Sequence, residues 1–229
     1  MTSDGRIETA RAWCDRAVFG GEDDALDAAA RELDAVEADL ALLRGQVAHA
    51  RFQRDQVVRE TELELFERAA RLYRGLGDAR GEAEALFWAG CYHQTVRSDH
   101  TTAGPLFDRC LELAGDNRTR SYALRHLGIA EHAAGRLDAA RERLTESTRL
   151  RREIGFPAGV AANLVGLAYL ALAGGEAAHA RELLDEAGEL AGQSGAAAVL
   201  RTVEQARTQL PPGAPHTVAG SSFPREDTS

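Results

Sequence analysis

Two stretches of the chain decide its fold: residues 124–150 read LRHLGIAEHAAGRLDAARERLTESTRL, and residues 164–190 read LVGLAYLALAGGEAAHARELLDEAGEL. The pattern of the first recurs forty residues later in the second, so that Leu127 and Leu144 return as Leu167 and Leu184. A repeat with a period of about 20 to 50 residues is typical of solenoids, in which each unit packs against its neighbours. The sequence therefore predicts an all-α solenoid.

Each repeat divides into two helices. Apolar residues from Leu124 to Ala130 lie on a first helix, Gly135 marks a turn, and residues 137–150 carry an apolar stripe at spacings of three and four on a second. Gly155 and Pro157 separate this pair from the next, since Gly suits a helix end and Pro a helix start.

The same pattern extends towards the N-terminus. Leu86, Gly90 and Phe107 hold equivalent places 37 to 38 residues earlier, and residues 66–77 match the second half of a still earlier unit. We predict degenerate helical repeats over 1–78 and three repeats over 79–192. A single capping helix over 193–210 and a disordered tail over 211–229 follow, because the last apolar face needs a cover and the tail is rich in Pro, Gly, Ser and Thr.

The front of the chain is less regular. Residues 7–19 predict one helix and residues 24–44 a second, with 46–54 as its continuation or as a third helix. Ala29, Leu33 and Val36 imitate the second helix of a repeat. Exposed apolar faces in this region could pair two copies of the chain into a homodimer.

The repeat residues resemble the tetratricopeptide repeat (TPR). Leu127 and Gly128, the small Ala140 twelve positions after Gly128 and the large Leu144 four beyond it match the family pattern, and Tyr169 stands at its aromatic position. The unit is longer than the minimal 34 residues and is similar to repeats of kinesin light chains and of large actinobacterial transcriptional activators. It lacks the family's Trp at position four and its closing Pro. The resemblance implies a right-handed solenoid and says little about function, since the motif residues are packing residues.

In tetratricopeptide arrays the first helices of successive units line a concave groove. Carried onto this sequence, the resemblance implies that the groove is lined by Glu84, Phe87, Cys91, Gln94, Tyr122, Arg125, Ile129, His132, Val165 and Tyr169, together with Ala162 and Leu172. Such a lining suits a protein or peptide partner, so we expect an interaction module that acts as scaffold, adaptor or regulator. The alternative is a small-molecule-binding or catalytic helical-repeat protein that uses the aromatic, His and Arg side chains.

Residues 87–93, FWAGCYH, form the densest cluster of reactive side chain types, joined by Arg125, His126 and His132. A functional interpretation makes a His the general base, Arg125 an anion clamp and Cys91 a nucleophile or soft ligand. The other interpretation packs Trp88 and Tyr92 between helices and leaves the histidines on a solvated groove. No recognised catalytic motif occurs, so no catalytic residue is predicted.

No cofactor or metal is expected either. Cys91 and His93 diverge by about 200° on a helix and cannot readily share an ion. The basic run Arg149, Arg151 and Arg152 stands one turn from Glu146 and Glu153, which predicts an exposed, ion-paired face.

Composition limits the remaining classes. The 229 residues carry a net charge of -9 and all 27 basic residues are Arg, which argues against a nucleic-acid partner. No apolar run reaches the roughly 18 to 20 residues of a membrane span, and MTSD at the start is unlike a signal sequence, so we expect a cytoplasmic protein without a membrane partner. Three widely spaced cysteines do not predict a disulfide framework.

Overall fold

Helices make up the regular structure throughout the part of the chain that the computed structural model describes, residues 3–211. They are α1 (Ser3–Gly20), α2 (Ala25–Asp55), α3 (Thr61–Leu76), α4 (Ala79–Cys91), α5 (His100–Leu113), α6 (Asn117–Ala133), α7 (Leu137–Glu153), α8 (Pro157–Ala173), α9 (Ala177–Gln193) and α10 (Ala197–Arg207). A π-helical turn, Tyr92–Val96, follows α4. None of the helices within residues 3–211 combines the length and the apolar character that a bilayer crossing requires.

Successive helices pack against each other along the chain. In addition, α2, α4, α6, α8 and α10 each contact the next member of that series, whereas contacts of comparable extent do not join α3, α5, α7 and α9 within the described residues. The even-numbered helices are therefore the more closely packed side of the array, and we call them the inner row. The described chain is an all-helical array of antiparallel pairs, as the repeat predicts.

Four glycines set the regular spacing of the later helices. Gly135, Gly155, Gly175 and Gly195 follow one another at intervals of twenty residues, with φ between 64° and 78°. This left-handed backbone is accessible to Gly at little cost, and it ends each of the helices α6, α7, α8 and α9. The forty-residue repeat is thus two twenty-residue halves, each a helix with its turn.

Small residues allow the two helices of each pair to approach closely. A Cβ built on Gly128 would lie 3.0 Å from Leu144 Cγ, and one built on Gly90 would lie 2.6 Å from the Phe107 ring. Ala140 and Ala180 are fully buried. The packing positions predicted from the repeat are confirmed, and the helix crossings depend on them.

Helix α2 differs in one respect from the pattern expected at the front of the chain, and its length decides how residues 46–54 are arranged. Residues 46–54 continue the second helix, because α2 runs unbroken from Ala25 to Asp55. Leu33, expected on a packing stripe, is 48% exposed. Its helix packs instead through Ala29, Ala35 and Ala38.

At the back of the described chain, where a capping helix is predicted over 193–210, α10 occupies Ala197–Arg207 and packs on α8 and α9. Val203 and Ala206 of α10 are fully buried and join the apolar core of the last repeat. The disordered tail predicted over 211–229 falls, apart from Pro211, outside the described residues.

Candidate functional site

The inner row encloses two pockets, one on each side of α6. We call the pocket between α2, α4 and α6 the front basin, with a volume of about 600 Å³, and the pocket between α6, α8 and α10 the rear basin, with about 330 Å³. Of the predicted groove residues, Glu84, Phe87, Cys91 and Tyr122 line the front basin. Arg125, Ile129, His132, Val165 and Tyr169, with Ala162, line the rear basin.

Helix α6 separates the two basins and contributes to both. Tyr122 faces the front basin and Arg125, one helical turn later, faces the rear basin. Neighbouring inner-row helices supply the opposite walls because each contacts α6 directly. The two basins therefore lie side by side along one surface.

The rear basin is apolar with a cationic wall. Arg125 Nη1 donates to Ala162 O at 2.8 Å and to Asn163 Oδ1 at 3.0 Å, while Arg125 Nε and Nη2 have no hydrogen-bond partner in the described chain. His132, Tyr169 and Thr202 are the other polar residues of the lining. No Asp or Glu of residues 3–211 lines this basin. An incoming carboxylate would meet the guanidinium without competition from an acid of the pocket.

A second arginine lies directly behind Arg125. Arg151 is 1% exposed and donates through Nη1 to Gly159 O at 2.7 Å and to Asn163 Oδ1 at 2.9 Å. Its guanidinium also lies 4.9 Å from the centroid of the Tyr122 ring. Asn163 completes the arrangement by donating to Ser147 Oγ at 2.8 Å. This buried hydrogen-bond network fixes the position of Asn163 and so orients the Arg125 side chain that donates to it.

Arg149, Arg151 and Arg152 were expected on one exposed basic face, but Arg151 is buried. Arg149 pairs with Glu146 at 2.7 Å and Arg152 pairs with Glu186 at 2.6 Å, as an ion-paired face requires. Arg151 points away from them because adjacent helical residues are about 100° apart. The local sequence pattern gives no sign that one of three similar arginines enters the core.

The two neighbouring arginines form a positive centre. Neither forms an ion pair with a carboxylate of the described residues. Burial, and then the charge of Arg125, lowers the pKa of Arg151 to about 10, and burial lowers the pKa of Arg125 as well. A pKa of about 10 leaves Arg151 charged at neutral pH, and no acid of residues 3–211 lines the rear basin to offset the two guanidinium groups.

The front basin is larger and aromatic, with charges of both signs. Phe87 lies at its base, with ring centroids 5.4 Å from Trp88, 5.6 Å from Tyr122 and 5.2 Å from His126. Glu84 accepts a hydrogen bond from Gln46 at 3.0 Å on one wall. The remaining lining residues are His49, Gln53, Arg80, Thr95, Asp116, Arg118 and Thr119. This basin suits an apolar or aromatic side chain surrounded by polar contacts.

Gln94 does not line either basin. The π-helical turn places it in the interior, 6% exposed, where its Nε2 donates to His126 O at 3.0 Å and its Oε1 lies 2.6 Å from His126 Nδ1. Gln94 therefore joins the turn to α6 and is a structural residue. Its predicted place on the groove assumes a regular helix, whereas Gln94 lies within the π turn, which changes the direction of the side chains.

The cluster around Cys91 is unsuited to nucleophilic chemistry. Cys91 Sγ lies 3.8 Å from His126 Nε2, and Cys91 is 3% exposed. Burial raises the pKa of the Cys91 thiol well above its usual range and lowers the pKa of His126 to about 3. A neutral thiol beside a weak base is a poor nucleophile. His126 also lies between aromatic rings instead of on a solvated surface.

Beside the front basin lies a buried polar pair, His49 and Glu62, that the sequence analysis did not identify. His49 Nδ1 lies 2.7 Å from Glu62 Oε1, and both residues are almost completely buried. The Trp88 and His49 rings pack edge to face, with centroids 5.5 Å apart. Residues thirteen apart on two helices form no recognisable motif, so only the fold brings them together. Nowhere in residues 3–211 do three or more His, Cys, Asp or Glu side chains converge as a metal site would require.

Comparisons with known proteins add no assignment to these basins. No protein-family model matches the chain, and no curated protein matches it.

Proposed function

We propose that the protein is an interaction module that docks a segment of a partner protein along its inner row, as a scaffold, adaptor or regulator. One observation carries this proposal: two adjoining basins lie on the same surface, on either side of α6, and differ in chemistry. An extended segment can place one side chain in each basin, and such alternation of pockets is how peptide grooves obtain specificity.

The chemistry of the basins defines the partner segment. Arg125 offers two unpartnered nitrogens to the rear basin, so the segment should present a carboxylate there. The apolar walls around it, Ile129 and Val165 among them, suit an aliphatic group beside that carboxylate. The front basin, with Phe87 and Tyr122, suits an aromatic or large aliphatic side chain.

We also propose that the helix pairs are right-handed, TPR-type repeats of the long form. The forty-residue period, the close crossing at Gly128 and the contacts between successive inner-row helices support this assignment. A groove along the first helices of each repeat follows from that architecture.

The alternative is a small-molecule pocket, and the rear basin is the place for it. Its volume of about 330 Å³ lies at the lower end of ligand cavities, and its lining is mostly apolar with a few polar groups. Native mass spectrometry of the purified full chain, before and after denaturation, would reveal a retained ligand and favour this alternative.

Selection of random peptides on the immobilised full chain tests the docking proposal. Enriched peptides should combine an acidic group with a large apolar residue. Thr202→Trp should block the rear basin and Gln53→Trp the front basin, because both side chains are exposed and border one basin each. Gln205→Trp, on the exposed surface of α10 outside the basins, is the matched control. The proposal fails if selected peptides bind the two blocked variants as tightly as the control.

A further inference from the structure

Large exposed apolar residues are concentrated at one end of the molecule. Of the ten such residues in the described chain, nine lie before residue 60, and the other is Ile154. The nine are Val18, Phe19, Leu26, Leu33, Leu40, Leu43, Val47, Val57 and Val58. Single exposed apolar side chains are ordinary, but a contiguous set of this kind marks an interaction surface.

Four of these residues follow a heptad on α2. Leu26, Leu33, Leu40 and Val47 are each seven residues apart and are 58%, 48%, 46% and 50% exposed. Seven residues fall about 20° short of two helical turns, so the four side chains form a strip along one side of the helix. An exposed apolar residue at every seventh position gives a strip that a second helix can cover along its length.

The other sides of α2 are already covered. Ala25, Ala29, Ala35, Ala38, Ala41, Leu42, Ala48 and Phe52 are its buried apolar residues. They pack against α1, α3 and α4, which contact α2. The heptad strip is thus the uncovered face of a helix of 31 residues, about 46 Å long at 1.5 Å per residue.

Charge on α2 is divided between its two halves. Residues 25–39 contain five acidic residues and one Arg, whereas residues 40–55 contain three Arg and one Asp. Asp27 and Asp34 in the first half form no ion pair within the described chain, and neither do Arg44 and Arg51 in the second. A parallel pair of these helices would bring acidic half against acidic half. An antiparallel pair would bring acidic half against basic half.

We propose that this strip docks a second copy of the chain, with the two α2 helices antiparallel about Leu40. Leu40 is the midpoint of Ala25–Asp55, so it meets its own equivalent at the two-fold axis. Leu33 then lies opposite Val47 of the second copy, because both are seven residues from Leu40. Asp27 and Asp34 face the half that carries Arg51 and Arg44.

The remaining exposed residues fit the same arrangement. Val18 and Phe19 precede the N-terminus of α2, and Val57 and Val58 follow its C-terminus. An antiparallel pair brings these opposite ends of two copies together, so apolar surface is buried along the whole length of the helix. The surface available to the second copy is thus the exposed side of α2 together with these four flanking residues.

Sedimentation of the full chain at micromolar concentration tests the dimer. The wild type should have twice the 24.6 kDa mass of the chain, and Leu40→Glu should have the monomer mass with an unchanged helical circular dichroism spectrum. Ile154→Glu, a change at an exposed apolar residue on α7's C-terminal end, should remain dimeric and is the matched control. A monomeric wild type, or a dimeric Leu40→Glu, overturns the proposal.

Charge reversal tests the orientation at three exposed residues and the half-buried Asp34, and the circular dichroism spectrum of each variant checks that it folds. The double variant Arg44→Glu with Arg51→Glu should weaken dimerisation on the order of tenfold, because acidic halves then face each other. Adding Asp27→Arg and Asp34→Arg should restore it. In a parallel dimer the double variant would only replace one like-charge contact by another. Equal dimer affinity of the double variant and the wild type therefore overturns the antiparallel arrangement. It is also overturned if the variant with all four substitutions does not regain the wild-type dimer affinity.

Discussion

Arg125 and Arg151 donate to the same oxygen atom, Oδ1 of Asn163, at 3.0 and 2.9 Å. Two guanidinium groups that share one neutral acceptor gain hydrogen bonds but no charge compensation. Their mutual repulsion is offset by carbonyl oxygens at Ala162 and Gly159 and, for Arg151, by the face of Tyr122. The rear basin is therefore a preformed positive site, in which a docking carboxylate would supply the missing charge.

Asn163→Ala should destabilise the fold strongly. It removes an acceptor from two buried cations and the donor to Ser147, so we expect a loss of about 2 to 4 kcal/mol in the free energy of unfolding measured with urea. Asn117→Ala is the control, because Asn117 is exposed and makes one hydrogen bond at 3.2 Å to Glu153. A loss as small as that of the control would mean that water replaces Asn163 without penalty.

Two glycine substitutions should shift stability in opposite directions. Gly90→Ala places a methyl group 2.6 Å from the buried Phe107 ring and should destabilise by about 1 to 3 kcal/mol. Gly75→Ala, in α3, meets nothing within 4 Å and should stabilise by up to about 1 kcal/mol because Ala restricts the unfolded chain. Thermal unfolding of both variants checks the pair. Equal shifts would show that the helix crossing at Gly90 can open.

The packing register was predictable because it repeats. Leu144 and Leu184 occupy one position of the pattern, and each packs against small residues that recur with the same period. Nine of the ten residues named from the resemblance as groove residues line one of the two basins. They do so because side chains at fixed positions of each first helix reach the same surface. Residues at equivalent positions of the sequence repeat therefore take equivalent packing positions in the structure.

The features that do not repeat could not be predicted. Burial of Arg151 depends on Asn163, twelve residues later on another helix, and the position of Gln94 depends on a π turn that no residue pattern signals. The heptad on α2 was present in the sequence, but Leu33 suits a core stripe as well as an exposed one. Which side of α2 stays uncovered depends on the packing of α1, α3 and α4.

Thiol labelling of the native protein should detect one reactive cysteine per chain. Cys14 is exposed, whereas Cys91 and Cys110 are buried, and burial raises the pKa of Cys110 to about 12 and that of Cys91 well above its usual range. A chromogenic disulfide reagent at neutral pH should therefore react rapidly with Cys14 and with the other two only after denaturation. Cys14→Ser should be unreactive while folded. A second rapid thiol in that variant would place the α4 interior in contact with solvent.

His126 should make the protein less stable as the pH falls. Burial, followed by the charges of Arg125 and Arg151, lowers its pKa to about 3 from the ordinary 6.5. Below pH 6.5 the unfolded chain binds a proton at this residue that the folded chain does not, so the free energy of unfolding decreases until about pH 3. This one residue should account for about 2 kcal/mol of the loss between pH 7.5 and pH 5.

Other groups titrate in the same range, so the effect is measured as the difference between wild type and His126→Gln in urea unfolding at the two pH values. The variant should show a shallower pH dependence, because Gln has no proton to gain. Gln205→Ala, at an exposed residue of α10, removes no titratable group and should keep the wild-type dependence. If His126→Gln and the wild type lose the same free energy, His126 is accessible to protons in the folded state, and the tight contact between Gln94 and α6 is not maintained in solution.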